Sequence, residues 1–357
     1  MTRLFVVLHR WIGVVLCLLF AAWFASGLIM LYVPFPSLST ADRLDRAQPV
    51  DLAKLSDPFA AILAKAEVGS LDRARIIALD GRPALIAEGA DNRIAVVSAE
   101  SGELLSRVTM SDAETIARQF SDSEVERVDG PFDYDQWIVH QQFDRFRPFF
   151  RVALADGAAT HLYVSAITGE VLQRTRGRER AWNYFGAVVH WIYPTLIRKN
   201  WALWDQLVWW LSLVGIVGAL LGVTLGVIRT REAWLRGRRG IASPYAGWMR
   251  WHHQAGMIVG VFVLTWIFSG WLSMDHGRLF SVPDPGAQQL DRFRGISLPE
   301  AVSRVSSERL RAFSGAAEIE ISAIAGEPVI VVRDASGTHS NLVAVSQSAQ
   351  ASISLMH

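Results

Sequence analysis

The sequence predicts a membrane protein: an α-helical bundle of three spans, with small α+β modules on one side of the bilayer. Three observations predict it. Long uncharged runs alternate with segments of ordinary polarity, arginines gather at one set of span ends, and a strand-turn-strand motif recurs between the spans. Of the 357 residues, 51% are hydrophobic and 19% charged. That is too apolar for an ordinary soluble enzyme and too charged for a wholly membranous chain. The net charge of +1 names no partner, and a single cysteine, Cys17, excludes a disulfide framework or cysteine metal site within one chain.

The first span is Trp11 to Val33, 23 residues without a charge; the second is Gln206 to Ile228, another 23; the third is Gln254 to Met274, 21. A hydrocarbon core of roughly 30 Å needs about 20 such residues in helix. The first run exceeds a signal-peptide core and no small-residue cleavage site closes it, so it is read as a retained span. Arg3 and Arg10 precede it. The loop between spans two and three carries Arg229, Arg231, Arg236, Arg238, Arg239 and Arg250 against one acid, Glu232. Short basic loops stay in the cytoplasm, so the N-terminus and this loop are expected inside. Trp182, Trp191, Trp201, Trp204, Trp209 and Trp210 crowd the outer entrance of span two as an interfacial belt.

The chain therefore divides into span one (1–33), an outer region with two modules (34–180), an interfacial helix with span two (181–228), a basic inner loop (229–250), span three (251–274) and a third, incomplete outer module (275–357). The modules are read from repetition. "AVVSAESGELL" (95–105) matches "LYVSAITGEVL" (162–172), each a strand, a turn at Gly102 or Gly169, and a second strand. "SDPFAAILAKA" and "MSDAETIARQF" precede them as helices, each opening on a Ser-Asp cap. "ISLPEAVSRV", "EPVIVVRD" and "NLVAVS" repeat the pattern without the Gly-Glu turn.

The spans repeat too. Sliding the chain by 243 positions lays His9 on His252, Gly13 on Gly256, Trp23 on Trp266, Ser26 on Ser269 and Gly27 on Gly270. This predicts a parallel repeat of spans one and three. A histidine at the threshold of a span is costly without a partner. One reading is an imidazole that snorkels at the inner interface. The other starts from His-x-x-x-Gly in both copies: residue i+4 lies on the same helix face, and a glycine there leaves a flat gap beside the ring. A porphyrin needs an axial nitrogen with such a gap, and haem iron accepts neutral imidazole. Zinc competes poorly, since it wants three or four ligands. His253 points about 100° from His252 on a helix and either takes no part or replaces it.

His190 lies in "WNYFGAVVHWIYPTLI", four residues after Gly186. It belongs either to an interfacial helix packed on the bundle and ended by Pro194, or to a second haem site near the outer face. Other features carry less. "HQQFDRFRPFFRV" (140–152) reads as a strand with one solvated face, or as a dock for an anionic or aromatic ligand. His161, His276 and His339 read as solvated. No phosphate-cradling loop, nucleophile elbow or HExxH is present. Nothing points to nucleic acid, because the basic cluster is accounted for by topology.

"LHRWIGVVLCLLFAAWFASGLIMLY", "YFGAVVHWIYP", "WHHQAGMIVGVFVLTWIFSGWLSM" and the "SAxTGE"-type turns resemble the PepSY-associated transmembrane family of bacterial inner-membrane proteins, over nearly the whole chain. The resemblance implies a multi-pass inner-membrane protein with a cytoplasmic N-terminus and one or two b-type haems between its helices. It implies reduction of ferric siderophores or other iron chelates in the periplasm, with PepSY-like modules facing the substrate. The family's membrane histidines match His9, His190 and His252 or His253. The donor would be a quinol or a cytoplasmic flavin system. Family members usually continue into a fourth span, whereas this chain stops at "SQSAQASISLMH". His190 is then expected to lack a partner unless a longer chain or an oligomer supplies it, leaving the small-residue flank "GIVGALLGVTLG" free for another helix. Two other functions compete: a non-enzymatic PepSY sensor or protease regulator, and a component of an iron-chelate transporter. No charge lies within the three runs, which counts against an ion pathway.

Overall fold

A computed structural model describes residues 2–56, 59–238, 243–276, 282, 285–335, 340–344 and 353–355. The first helices in chain order are α1 (Thr2–Tyr32), α2 (Thr40–Asp45), α3 (Phe59–Ala64), α4 (Met110–Phe120), α5 (Gly177–Phe185) and α6 (Ala187–His190). They are followed by α7 (Thr195–Arg198), α8 (Trp201–Leu235), α9 (Gly247–Ser273), α10 (Ala287–Arg294), α11 (Leu298–Ser303) and α12 (Ser307–Arg311). The strands are β1 (Leu71–Leu79), β2 (Arg82–Gly89), β3 (Ile94–Ser98), β4 (Val125–Phe132), β5 (Phe149–Leu154) and β6 (His161–Ser165). Beyond them lie β7 (Val171–Thr175), β8 (Ala316–Ile324), β9 (Glu327–Asp334), β10 (Ser340–Ala344) and β11 (Ile353–Leu355). The chain forms two compact units, residues 1–34 with 182–283, and residues 35–181 with 284–357.

The first unit holds three helices long and apolar enough to cross a bilayer: α1, α8 and α9. All three outrun the uncharged stretches that predicted them. Helix α8 continues through Arg229 and Glu232, which pair at 2.8 Å one turn apart, so the boundary drawn at 228 falls inside a helix. Charged side chains with long apolar stems can extend a span into the interface. Pro34 and Pro36 lie just past α1, where a continuing helix would clash. The Asn200 side chain accepts the Leu203 amide at 3.0 Å and starts α8.

Glycines on α8 seat both neighbours. A Cβ at Gly218 would lie 2.6 Å from Ile12 of α1, and one at Gly226 would lie 2.5 Å from Met257 of α9. Gly215 likewise meets Phe20 of α1 at 3.3 Å. The small-residue flank expected to be free is thus occupied within the chain, because small faces let helices approach closely. Helices α1 and α9 run in the same direction. His9 lies beside His252 with ring centres 6.2 Å apart, and farther along Phe24 lies 5.7 Å from Trp266.

The second unit contains two antiparallel sheets, one in the order β11-β10-β9-β8-β1-β2-β3 and the other β4-β5-β6-β7. Helices α3, α11 and α12 cover the larger sheet, burying Phe59, Ile62, Leu298, Val302 and Leu310 against Ile76, Leu85, Ile319 and Ile330. Helix α4 covers the smaller one through Ala113 and Ala117. Its N-cap is Thr109, whose hydroxyl accepts from Asp112 while Asp112 accepts from the Thr109 amide. The cap therefore falls two residues before the Ser-Asp that the sequence suggested. The other proposed cap includes Asp57, outside the described residues.

The two matched turns share one geometry. Gly102 and Gly169 have φ of +71° and +72°, and Ser98 and Ser165 each donate to the carbonyl of the following Glu103 or Glu170. A left-handed backbone there costs glycine nothing. After Gly102, however, the second strand shrinks to a single bridge, Leu104 with Val97. The segment after α9 joins the sheet of the first module: β8 pairs with β1, Ile76 opposite Ile319. This closes an edge that β1 would otherwise leave open. Strands on opposite sides of a bilayer could not pair, so both segments lie on the same side, as two intervening spans require.

A buried ion cluster crosses this unit. Arg75 of β1 binds Glu88 at 3.0 Å, Glu170 at 2.8 Å and Glu318 at 3.2 Å, all nearly without solvent exposure. Arg43 and Arg333 also reach Glu318. Burial alone would raise the carboxyl pKa values of Glu170 and Glu318. Against it, Arg43, Arg75 and Arg333 hold Glu318 down at about 2, and Arg75 and Arg43 keep Glu170 below its ordinary value. Glu170 is the glutamate of the second Gly-Glu turn, so the motif joins the two sheets.

Candidate functional site between the membrane helices

His9 stands on the face of α1 that meets α8. Its Nδ1 donates to the Gly218 carbonyl at 3.0 Å, which leaves Nε2 as the uncommitted nitrogen. The ring lies against Gly222, where a Cβ would be 2.6 Å from His9 Cε1. His252 approaches from α9, exposed, with its ring tilted 42° to that of His9. One turn along each helix, Gly13 and Gly256 have nothing within 4 Å of an added Cβ. The two His-x-x-x-Gly faces thus border open space around two converging imidazoles.

His253 is turned the other way. It is buried, its Nε2 donates to the Gly226 carbonyl at 3.1 Å, and Thr230 Oγ1 lies 3.4 Å away. Tyr245 meets its ring edge-on, and its Nδ1 has no hydrogen-bond partner. The adjacent histidines therefore divide the work: His253 ties α9 to α8, and His252 faces His9.

His190 packs on α1 near the opposite end of the bundle, roughly 25 Å from His9 along the helix at 1.5 Å per residue. Its Nδ1 donates to the Trp23 carbonyl at 3.0 Å and lies 3.2 Å from Ser26 Oγ, and its ring stacks on Trp23 at 5.4 Å. Gly27 makes room for it, since a Cβ there would lie 3.2 Å from His190 Cε1. Gly186, four residues before His190, borders no gap: Ile29 stands 3.0 Å from where its Cβ would be. On α9, Trp266 and Ser269 are exposed and a Cβ on Gly270 would meet nothing within 4 Å.

The weaker candidates resolve differently. His276 is not simply solvated; Nε2 pairs with Asp205 at 2.7 Å and the ring stacks on Trp209. His161 opens β6 half-buried, and desolvation, then Arg180 and Arg151, push its pKa down to about 4. His339 lies outside the described residues. In 140–152, Gln141–Phe146 is a 3-10 turn rather than strand. Arg145 pairs with Glu88, Arg147 with Asp144, and Arg151 with Asp129 and Asp135, so these arginines serve the fold. The sequence grouped Gly218, Gly222 and Gly226 in a flank free for another helix and did not assign them as seats for Ile12, His9 and Met257. Their spacing of four puts them on one face of span two, a signal that could have identified them as seats.

No group of three or more His, Cys, Asp or Glu among the described residues could hold a bare metal ion. What the helices offer is a pair of imidazoles side by side on facing helices of a polytopic membrane protein. The chain belongs to the PepSY-associated TM region family, whose model matches residues 6–340. No match was found among curated proteins or among solved structures.

Proposed function

We propose that this protein is a b-type haem protein of the bacterial inner membrane that passes electrons outward to ferric chelates, siderophore-bound iron among them. The observation that carries the reading is the His9–His252 pair. The two rings lie 6.2 Å apart centre to centre on facing helices, and each carries an imidazole nitrogen of the kind that haem iron accepts. The open faces at Gly13 and Gly256 fit a macrocycle edge. His9 and His252 would hold the haem, which supplies a one-electron carrier.

The remaining work falls to the chain. The Gly218 carbonyl holds the Nδ1 proton of His9, fixing the tautomer and aiming Nε2, as outer partners of metal-binding histidines do. His253 anchors the inner end of α9 and so sets where His252 stands. His190, with Nδ1 committed to Trp23, is a single candidate ligand for a second haem at the other end. The arginines after Ile228 support a cytoplasmic inner loop and a periplasmic β-sheet unit. The donor would be a quinol or a cytoplasmic flavin system.

Purified protein should be red, with a Soret band that shifts on dithionite, and reduced protein in vesicles should be reoxidised by ferric chelates offered on the β-sheet side. A colourless preparation would overturn the reading in favour of a membrane-anchored PepSY module without redox chemistry. Intact haem that no ferric chelate reoxidises would move the substrate elsewhere.

A further inference from the structure

We propose that Arg198 is the seat of a phospholipid phosphate. Arg198 ends α7, and only 3% of its surface is exposed. Its guanidinium carbon lies 4.9 Å from the centre of the Tyr193 ring, 4.5 Å from Trp201 and 5.0 Å from Trp204. Trp204 is itself fixed, since its Nε1 donates to the Trp191 carbonyl at 2.8 Å. The cage is therefore built, with three aromatic faces turned to one cation.

What the cage lacks is an anion. Among the described residues no carboxylate pairs with Arg198, and its Nε has no hydrogen-bond acceptor. The other arginine buried to this degree among the described residues, Arg75, meets carboxylates directly. Aromatic faces offset only part of the cost of stripping water from a guanidinium. A buried cation with that deficit is completed by an oxyanion that accepts from its planar fork.

Depth selects the source. Arg198 stands three residues before Trp201, the first residue of a membrane helix, amid Trp191, Tyr193 and Trp204. Tryptophan and tyrosine collect at headgroup level. A phosphodiester already resides there, whereas a free anion would have to leave bulk water to reach it. Exposed Lys199 next in the chain adds a second positive charge and favours an anionic headgroup. The site does not depend on which face of the membrane is outer, nor on haem.

Native mass spectrometry of the full chain should find about one phospholipid retained, and phosphatidylglycerol added to delipidated protein should raise its Tm. Arg198→Gln should bind that lipid at least about tenfold more weakly. Because this variant could fail to fold, a photoreactive phosphatidylglycerol is also offered to the unaltered protein, and its label should fall within residues 191–204. Equal lipid retention by Arg198→Gln, or a label elsewhere, would overturn the proposal. A Tm rise with inorganic phosphate equal to that with phosphatidylglycerol would assign the cage to a free anion and also overturn it.

Discussion

His9 of α1 rests on Gly222 of α8 so closely that one added methyl group would stand 2.6 Å from the imidazole Cε1. The histidine can therefore be displaced without being mutated. Gly222→Val should push the ring off the Gly218 carbonyl and cost about 1–3 kcal/mol of packing. Bound haem per chain should fall sharply in this variant, as in His9→Ala, with membrane insertion retained. Full haem content and an unchanged low-spin spectrum in both would show that His9 is no ligand.

Neighbouring histidines should behave differently. His252→Ala should lose haem, because its ring is the one facing His9. His253→Ala removes a hydrogen bond to the Gly226 carbonyl and should cost about 1 kcal/mol of stability. Much of the haem should remain. Equal loss in the two variants, read by Soret absorbance per protein, would overturn the division of roles.

Haem stoichiometry and a carbon monoxide difference spectrum test His190. With no second imidazole ring beside it among the described residues, any haem it holds should be weakly bound and reactive to carbon monoxide. The His9–His252 haem should be inert to it. Two tightly held, inert haems per chain would contradict this arrangement.

Topology is open to a simple check. Reporter fusions at Gly102 in the β-sheet unit and at Gly237 beside the arginine-rich loop should report opposite sides of the membrane. The same compartment for both would invalidate the assignment of three crossings.

Acid should weaken the β-sheet unit through its buried carboxylates. Glu318 titrates at about 2 when folded against an ordinary 4.5. The lowered folded pKa means that its contribution is present above pH 4.5 and is lost as pH falls toward 2. Glu170 adds in the same direction. His161 acts earlier: with a folded pKa near 4 against 6.5, it contributes above pH 6.5 and progressively less below. Arg75→Leu should cost about 3–5 kcal/mol, since it leaves three carboxylates with fewer partners. Urea unfolding across pH 3–8 reads both effects, and a flat profile would contradict them.

What the sequence disclosed followed from local rules. Uncharged runs marked the spans, and Ser-x-x-x-Gly-Glu marked both turns, because each depends on a few adjacent residues. Helix ends were misplaced where Arg229 and Glu232 pair along one face, since hydropathy alone stops at the first charge. The choice between His252 and His253 required the position of Gly226 on another helix. The ion cluster was hidden for the same reason: Arg75, Glu170 and Glu318 are far apart in the chain and come together only through folding.

The pairing of β1 with β8 also fixes a timetable for biosynthesis. Leu79 ends β1, and Ala316 opens the strand that covers its edge. At about 5–20 residues per second, translation leaves that edge bare for roughly ten to fifty seconds while two spans are threaded into the bilayer. The nascent sheet must spend this interval unfinished, with backbone donors and acceptors available to any passing strand.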